Sequence, residues 1–148
     1  MIKKICLASL MFSGIFIFSQ ISETSNFDPS KIPDYTVLKT KLNLKDVVTE
    51  ADQKPEFPGG MDAFKRKFFE GMPTIQMKQN QKLSTRLYFI VEKDGYIRNV
   101  AAVSNDKKHA EAAELGVKRI FTRWKPAMVG DQKVRYLYSF PLSVRKYD

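Results

Sequence analysis

The most constraining feature of the sequence is a strict two-residue alternation near its end. Over residues 134–144, a mostly aromatic and apolar set occupies every second position, namely Val134, Tyr136, Tyr138, Phe140, Leu142 and Val144, and alternates with Arg135, Leu137, Ser139, Pro141 and Ser143. Successive side chains of a β-strand point to opposite faces of a sheet, so this period predicts a strand. Pro141 lies inside it. Because proline has no N–H to donate to a neighbouring strand, one edge of this strand is predicted to be open.

Two helical patterns precede this strand. The first follows the turn-forming run Pro58-Gly59-Gly60, and its apolar side chains recur at helical spacing: Met61, Phe64, Phe68 and Met72. The second begins after Ser104, Asn105 or Asp106 as capping residue, ends before Pro126, and has one apolar face: Ala110, Ala113, Val117, Ile120, Phe121 and Trp124. Gly116 costs this helix about 1 kcal/mol relative to alanine, which favours a role in close packing.

A hairpin is predicted between the two helices. Alternating side chains over residues 83–92 indicate one strand, Asp94-Gly95 indicates a two-residue turn, and residues 96–103 indicate the returning strand. The order helix, strand, strand, helix, strand predicts an α+β fold, in which a small three-stranded antiparallel sheet packs against two helices.

The first 19 residues are predicted to be a secretory signal peptide. Lys3 and Lys4 precede an apolar run over residues 5–18, which is shorter than the roughly 20 residues that span a bilayer. An uncleaved membrane anchor or a buried core helix is the alternative. Residues 20–52 are polar and weakly patterned, and we interpret them as a leader or linker that could also dock as an irregular strand. Residues 53–148 are the predicted domain.

The residue inventory does not indicate an enzyme. The only cysteine, Cys6, falls in the predicted signal peptide, so neither a disulfide nor a cysteine metal site is expected in the mature chain. The only histidine, His109, is a formal candidate for a general base, but beside two lysines we expect it to be a solvated helix residue. Glu111 and Glu114 are likewise expected on a solvated face. No phosphate-binding glycine motif is present, and no catalytic residue, cofactor or metal is predicted.

Positive charge is concentrated in the last part of the chain. The formal net charge is +9, and from Lys107 onwards ten Lys and Arg side chains face four Asp and Glu. One interpretation is a surface for an acidic partner such as lipid headgroups, an anionic envelope polymer or an acidic protein segment. The other is general solubility, with protection of a strand edge by charge. Nucleic acid is not predicted as a partner.

Three stretches in order resemble the TonB C-terminal domain family, in the version found in Bacteroidetes. They are Glu56-Phe57-Pro58-Gly59-Gly60 before a helix, Phe89 to Gly95 at a hairpin, and Trp124-Lys125-Pro126-Ala127 before Gly130 and a final strand. The resemblance covers roughly residues 53–147. It implies that the last strand captures an extended segment of an outer-membrane receptor by strand addition. Main-chain groups would then provide affinity, and the implied partner-binding residues are Lys133, Arg135, Tyr136, Tyr138, Phe140 and Arg145.

The leading hypothesis is an exported, periplasmic or envelope-associated interaction module that is linked to TonB-dependent transport. One alternative is a cationic protein that binds anionic lipid or polymer. Another is an energy transducer in the inner membrane, if residues 1–19 are retained as an anchor. A homodimer through the last strand is a further option, because an open edge can pair with a second copy.

Overall fold

The computed structural model describes residues 28–147, which comprise three α-helices and five β-strands. In chain order, after a short 3-10 turn at Pro29–Lys31, these are α1 (Tyr35–Lys41), β1 (Val47–Val48), α2 (Gly60–Gly71), β2 (Lys82–Val91), β3 (Ile97–Ser104), α3 (Lys107–Lys118), β4 (Ala127–Val129) and β5 (Gln132–Arg145). The predicted signal peptide lies outside the described residues. Within residues 28–147, no helix has the length and apolar character needed to cross a bilayer.

The strands form one mixed sheet in the order β1-β5-β2-β3, and β4 forms a hairpin with β5. The β2–β3 and β2–β5 pairs are antiparallel, whereas β1 runs parallel to β5. The α+β class is therefore confirmed, but with five strands and three helices instead of three and two. The two additional strands have two and three residues, which is too short for an alternating pattern to be visible in the sequence.

Each face of the sheet is covered by a different part of the chain. Helices α2 and α3 cover one face, the helix face, around a core that includes Phe64, Phe68, Phe89, Trp124 and Phe140. The other face, the leader face, is covered by residues of the predicted leader. Its core is formed by Ile32, Leu38, Leu42, Val47, Tyr88, Ile90, Ala101 and Leu137. The described part of residues 20–52 is thus folded against the sheet and does not extend away from it.

The second predicted helix is shorter than its apolar pattern suggested. Helix α3 ends at Lys118, so the expectation that Phe121 lies on its buried face was wrong: Phe121 is 83% exposed. Ile120 and Trp124 are buried, but they reach the core from an irregular segment. That segment is held by the hairpin, because Trp124 N–H donates to the carbonyl oxygen of Gly95 at 2.8 Å.

The hairpin turn lies where Asp94-Gly95 predicted it, but it is longer than two residues. The last β2–β3 pair is Val91 with Ile97, after a register shift at Ile90. Gly95 has a φ of 88°, a conformation that glycine adopts without a steric penalty. A Cβ at this position would lie 2.1 Å from the carbonyl oxygen of Trp124, so glycine is also required for the contact with the segment after α3.

Candidate functional site

The candidate site is the edge of β5 that faces away from β2. Strand β2 pairs with β5 over residues 136–145, and Pro141 lies opposite Arg86. Because proline cannot donate a hydrogen bond, this must be a non-hydrogen-bonded pair. The main-chain groups of Pro141, and of Leu137, Ser139 and Ser143 in the same alternation, therefore point away from β2.

This edge is largely unoccupied by the described chain. Strand β1 pairs only with Arg135 and Tyr136, and no other strand within residues 28–147 continues this pairing along β5. We refer to residues 137–145 as the open edge. Its side chains at Ser139, Pro141 and Ser143 are exposed, and the two serines are small enough for another backbone to approach. The open edge predicted from Pro141 is therefore present.

Three of the six predicted partner-binding residues contribute to packing on the helix side of β5. Tyr136 and Phe140 are buried, and Tyr138 is half-buried. The Tyr138 ring stacks on Phe89 with centroids 5.2 Å apart, and its hydroxyl donates to the Met61 sulfur at 3.3 Å. Burial also raises the pKa of the Tyr138 hydroxyl, so this group is a neutral donor. A substitution at Tyr138 would consequently disturb folding as well as any binding.

Arg135 is held in an internal ion pair. Its Nε and Nη2 atoms donate to the two carboxylate oxygens of Glu92 at 2.7 and 2.9 Å, and each side chain is only 15% exposed. Its Nη1 atom donates to the carbonyl oxygen of Lys45, just before β1. The hydrogen bond with Glu92 raises the pKa of Arg135. Arg135 therefore links the chain before β1 to the hairpin loop. The other two predicted binding residues, Lys133 and Arg145, are exposed.

A groove of about 340 Å³ lies at one end of the open edge. One side is formed by β5 from Tyr136 to Ser139, and the other by the leader, at Lys31, Ile32 and Pro33. Lys54 and Tyr88 complete this part of its wall. Two lysines are the only charged side chains among its lining residues.

The leader wall of the groove is anchored by a buried hydroxyl. Tyr88 donates to the Asp34 carboxylate at 2.7 Å, and Arg86 donates to the same oxygen at 3.1 Å. Burial, followed by this hydrogen bond to Asp34, raises the pKa of Tyr88 to about 12. The contact places the start of α1 over β2, and thereby positions Lys31 and Pro33 beside β5.

Sequence reasoning missed the leader residues of this site. Lys31 and Lys54 carry no motif, because they become neighbours only when the leader packs on the sheet. A weak signal was present in Leu38 and Leu42, whose four-residue spacing favours a helix with an apolar side. Both side chains are buried in the leader-face core.

His109 is buried, contrary to the solvated position that we expected. It has no exposed surface, and its Nδ1 atom lies 2.5 Å from the Thr85 hydroxyl oxygen. Thr85 donates in turn to the Ser104 hydroxyl at 2.6 Å. Burial lowers the pKa of His109, because an imidazolium would lose its hydration there. The histidine belongs to the contact between α3 and the sheet.

Four basic residues at the end of α3 and in the segment that follows it are engaged in local contacts. Lys118 and Lys125 pair with Glu114 and Glu56 at 3.4 and 3.5 Å. Arg119 and Arg123 donate to main-chain carbonyl oxygens at 2.8 and 2.7 Å. They surround the exposed Phe121 in sequence. Within residues 28–147, no group of three or more His, Cys, Asp or Glu side chains could hold a metal ion.

Comparison with known proteins gives no relative: no family model matches the chain, and no curated protein and no solved structure matches it. The resemblance to the TonB C-terminal domain therefore stays a prediction from the three motifs.

Proposed function

We propose that this chain is an exported protein-interaction module of the cell envelope, which binds an extended segment of another envelope protein by adding it to the open edge of β5. The observation that supports this most strongly is the outward direction of the main-chain groups at Ser139 and Ser143. The predicted signal peptide supports export, and the TonB-type motifs support an outer-membrane receptor as the partner.

The structure also bounds the strength of such binding. The open edge provides a few main-chain groups, and each hydrogen bond contributes about 0.5–1.5 kcal/mol net. Association itself costs roughly 4–15 kcal/mol. Main-chain pairing alone therefore gives weak binding, and side-chain contacts beside the edge must supply affinity and specificity.

Selection from a phage-displayed library of random ten-residue segments tests this proposal. The target is the full chain, and the decisive variant is Ser139→Pro combined with Ser143→Pro, which removes both outward N–H donors. The matched control is Ser139→Ala with Ser143→Ala, which keeps the donors. We expect selected segments to bind the wild type and the alanine control and to lose binding to the proline variant, with both variants folded by circular dichroism.

Amide exchange supplies an independent measurement on the unaltered protein. Bound segments should slow hydrogen exchange at the main-chain amides of Ser139 and Ser143. Segments that bind equally well to the folded proline variant would contradict strand addition. A dimer of the wild type that the proline variant dissociates, with no segment selected, would show that a second copy occupies the edge and would overturn the proposed partner.

A second candidate function is suggested by Phe121. This ring is 83% exposed and lies between Arg119 and Arg123 in sequence, a combination typical of binding to an anionic membrane surface. If this function is correct, Phe121→Ser should weaken binding to anionic vesicles, whereas the control Phe121→Trp, which keeps a large aromatic ring at the same position, should not. Binding should also fall steeply as the Debye length decreases from about 10 Å at 0.1 M salt to about 3 Å at 1 M. Strand addition should largely persist.

A further inference from the structure

We infer that the groove beside Lys31 and Lys54 binds an acidic side chain of the added segment, at the end of that segment nearest Leu137. This inference rests on the proposed function, because it assigns the kind of sequence that the open edge selects. The proposed occupant of the groove is a carboxylate group.

The position of the groove follows from where β1 ends. Strand β1 pairs with Arg135 and Tyr136 and then leaves the sheet at Thr49. A segment added at Ser139 would therefore lie in line with β1, and its end would stop at the gap that β1 leaves. The groove lies at this gap, since it is lined by Thr49 on one side and by residues 136–139 of β5 on the other.

The charges around the groove favour an anion. Lys54 is exposed, and no carboxylate oxygen of the described residues forms a salt bridge with it. Lys31 pairs with Glu50 at 2.9 Å, with the two side chains 59% and 68% exposed. Exposed pairs of this kind contribute roughly 0–1 kcal/mol, so an incoming carboxylate can replace Glu50.

Asp28 and Asp34 are further acidic groups close to the leader wall, and both accept hydrogen bonds. Asp28 accepts from the main-chain N–H and the hydroxyl of Ser30 at 3.0 and 2.6 Å. Asp34 receives hydrogen bonds from both Tyr88 and Arg86, and its charge is therefore balanced within the leader face. An acidic side chain in the groove would thus meet two ammonium groups, and the displaced Glu50, whose side chain is 68% exposed, can turn its carboxylate to solvent. A basic side chain at the same position would meet like charges, so the groove discriminates between segments by repulsion as well as by attraction.

The library selection also tests this inference. Segments enriched on the wild type should carry Asp or Glu at one end of the paired region far more often than the unselected library. The test variant is Lys31→Gln with Lys54→Gln. The control is Lys107→Gln with Lys108→Gln, which makes the same change of net charge at the start of α3, on the helix face. Acid enrichment should disappear only on the groove variant.

Affinity measurements then give the magnitude of the acid preference. For an enriched segment and its counterpart with the acid changed to the amide, we expect at least a fivefold difference in Kd on the wild type and on the α3 control. The difference should shrink below twofold on the groove variant. An acid-to-amide ratio near one on the wild type, or one unchanged by Lys31→Gln with Lys54→Gln, would overturn the inference.

Strand addition and the acid preference of the groove are tested by different outcomes. Segments that need the main-chain donors of Ser139 and Ser143 but show no acid preference would support strand addition and refute the role of the groove. Acidic segments that bind the Ser139→Pro, Ser143→Pro variant as well as they bind the wild type would remove the proposed function, and the inference with it.

Discussion

The ion pair between Arg135 and Glu92 offers the sharpest test of whether a predicted binding residue is structural. Removing one partner of a fully buried ion pair costs about 3–5 kcal/mol, because the other charge is left without compensation. Both side chains here keep 15% exposure, so we expect a smaller loss of about 2–4 kcal/mol in the free energy of unfolding for Arg135→Met or Glu92→Met alone. The double variant, which leaves no unpaired charge, should lose no more than either single variant.

The measurement is a double-mutant cycle by urea unfolding at pH 7. The chain has one tryptophan, Trp124, which is 1% exposed and therefore reports loss of the core by fluorescence. The expected coupling between the two sites is on the order of 2 kcal/mol, within the range for residues in direct contact. Additive losses would refute the structural reading. An Arg135→Met variant of unchanged stability that no longer binds a selected segment would instead establish Arg135 as a binding residue.

Three further changes test the packing around the site. Gly95→Ala would place a Cβ 2.1 Å from the Trp124 carbonyl oxygen at a φ of 88°, and it should lower the free energy of unfolding in urea by at least about 3 kcal/mol. The control Gly130→Ala is also at positive φ but in open space, and should lower it by only about 1–2 kcal/mol. Gly116→Ala gains up to about 1 kcal/mol of helix propensity, but it places a Cβ 2.9 Å from the buried Phe68 ring of α2, which should cost about 1–3 kcal/mol. A net gain in stability would contradict this packing. Burial lowers the pKa of His109 below its ordinary value of 6.5 in the folded state, so the unfolded chain takes up a proton first as the pH falls. The free energy of unfolding should therefore fall by up to about 1.4 kcal/mol per pH unit below pH 6.5. This pH dependence should be absent in His109→Gln.

The sequence predicted those elements whose side chains repeat over several residues. The alternation from Val134 to Val144 is long enough to identify β5, and Phe64 and Phe68 identify the buried side of α2. The end of α3 could not be predicted, because Pro126 sets only its outer limit. The helix stops earlier because Trp124 must turn back to reach Gly95, and this contact joins residues 29 positions apart.

The candidate site was likewise predictable only in part. Its open edge was predictable, since Pro141 alone requires one side of β5 without a neighbour. The groove was not, because Lys31, Lys54 and Tyr88 are brought together only by tertiary packing. The prediction that Arg135 binds a partner was misleading for a related reason. A charged residue in an alternating strand indicates a solvent-exposed side chain, but Glu92, which pairs with Arg135, follows the end of β2 and is distant in sequence.

An exposed strand edge is a liability unless something limits what can pair with it. Pro141 removes one donor, but it leaves the donors of Ser139 and Ser143 available to any extended chain. The leader adds a second restriction, because β1 closes the start of β5 and the segment around Lys31 forms a charged wall where an added strand must end. On this argument part of the selectivity of the edge is encoded in the least patterned part of the described sequence. A domain reduced to residues 53–148 would lose Lys31 and the leader wall of the groove, together with the leader half of the core on that face of the sheet.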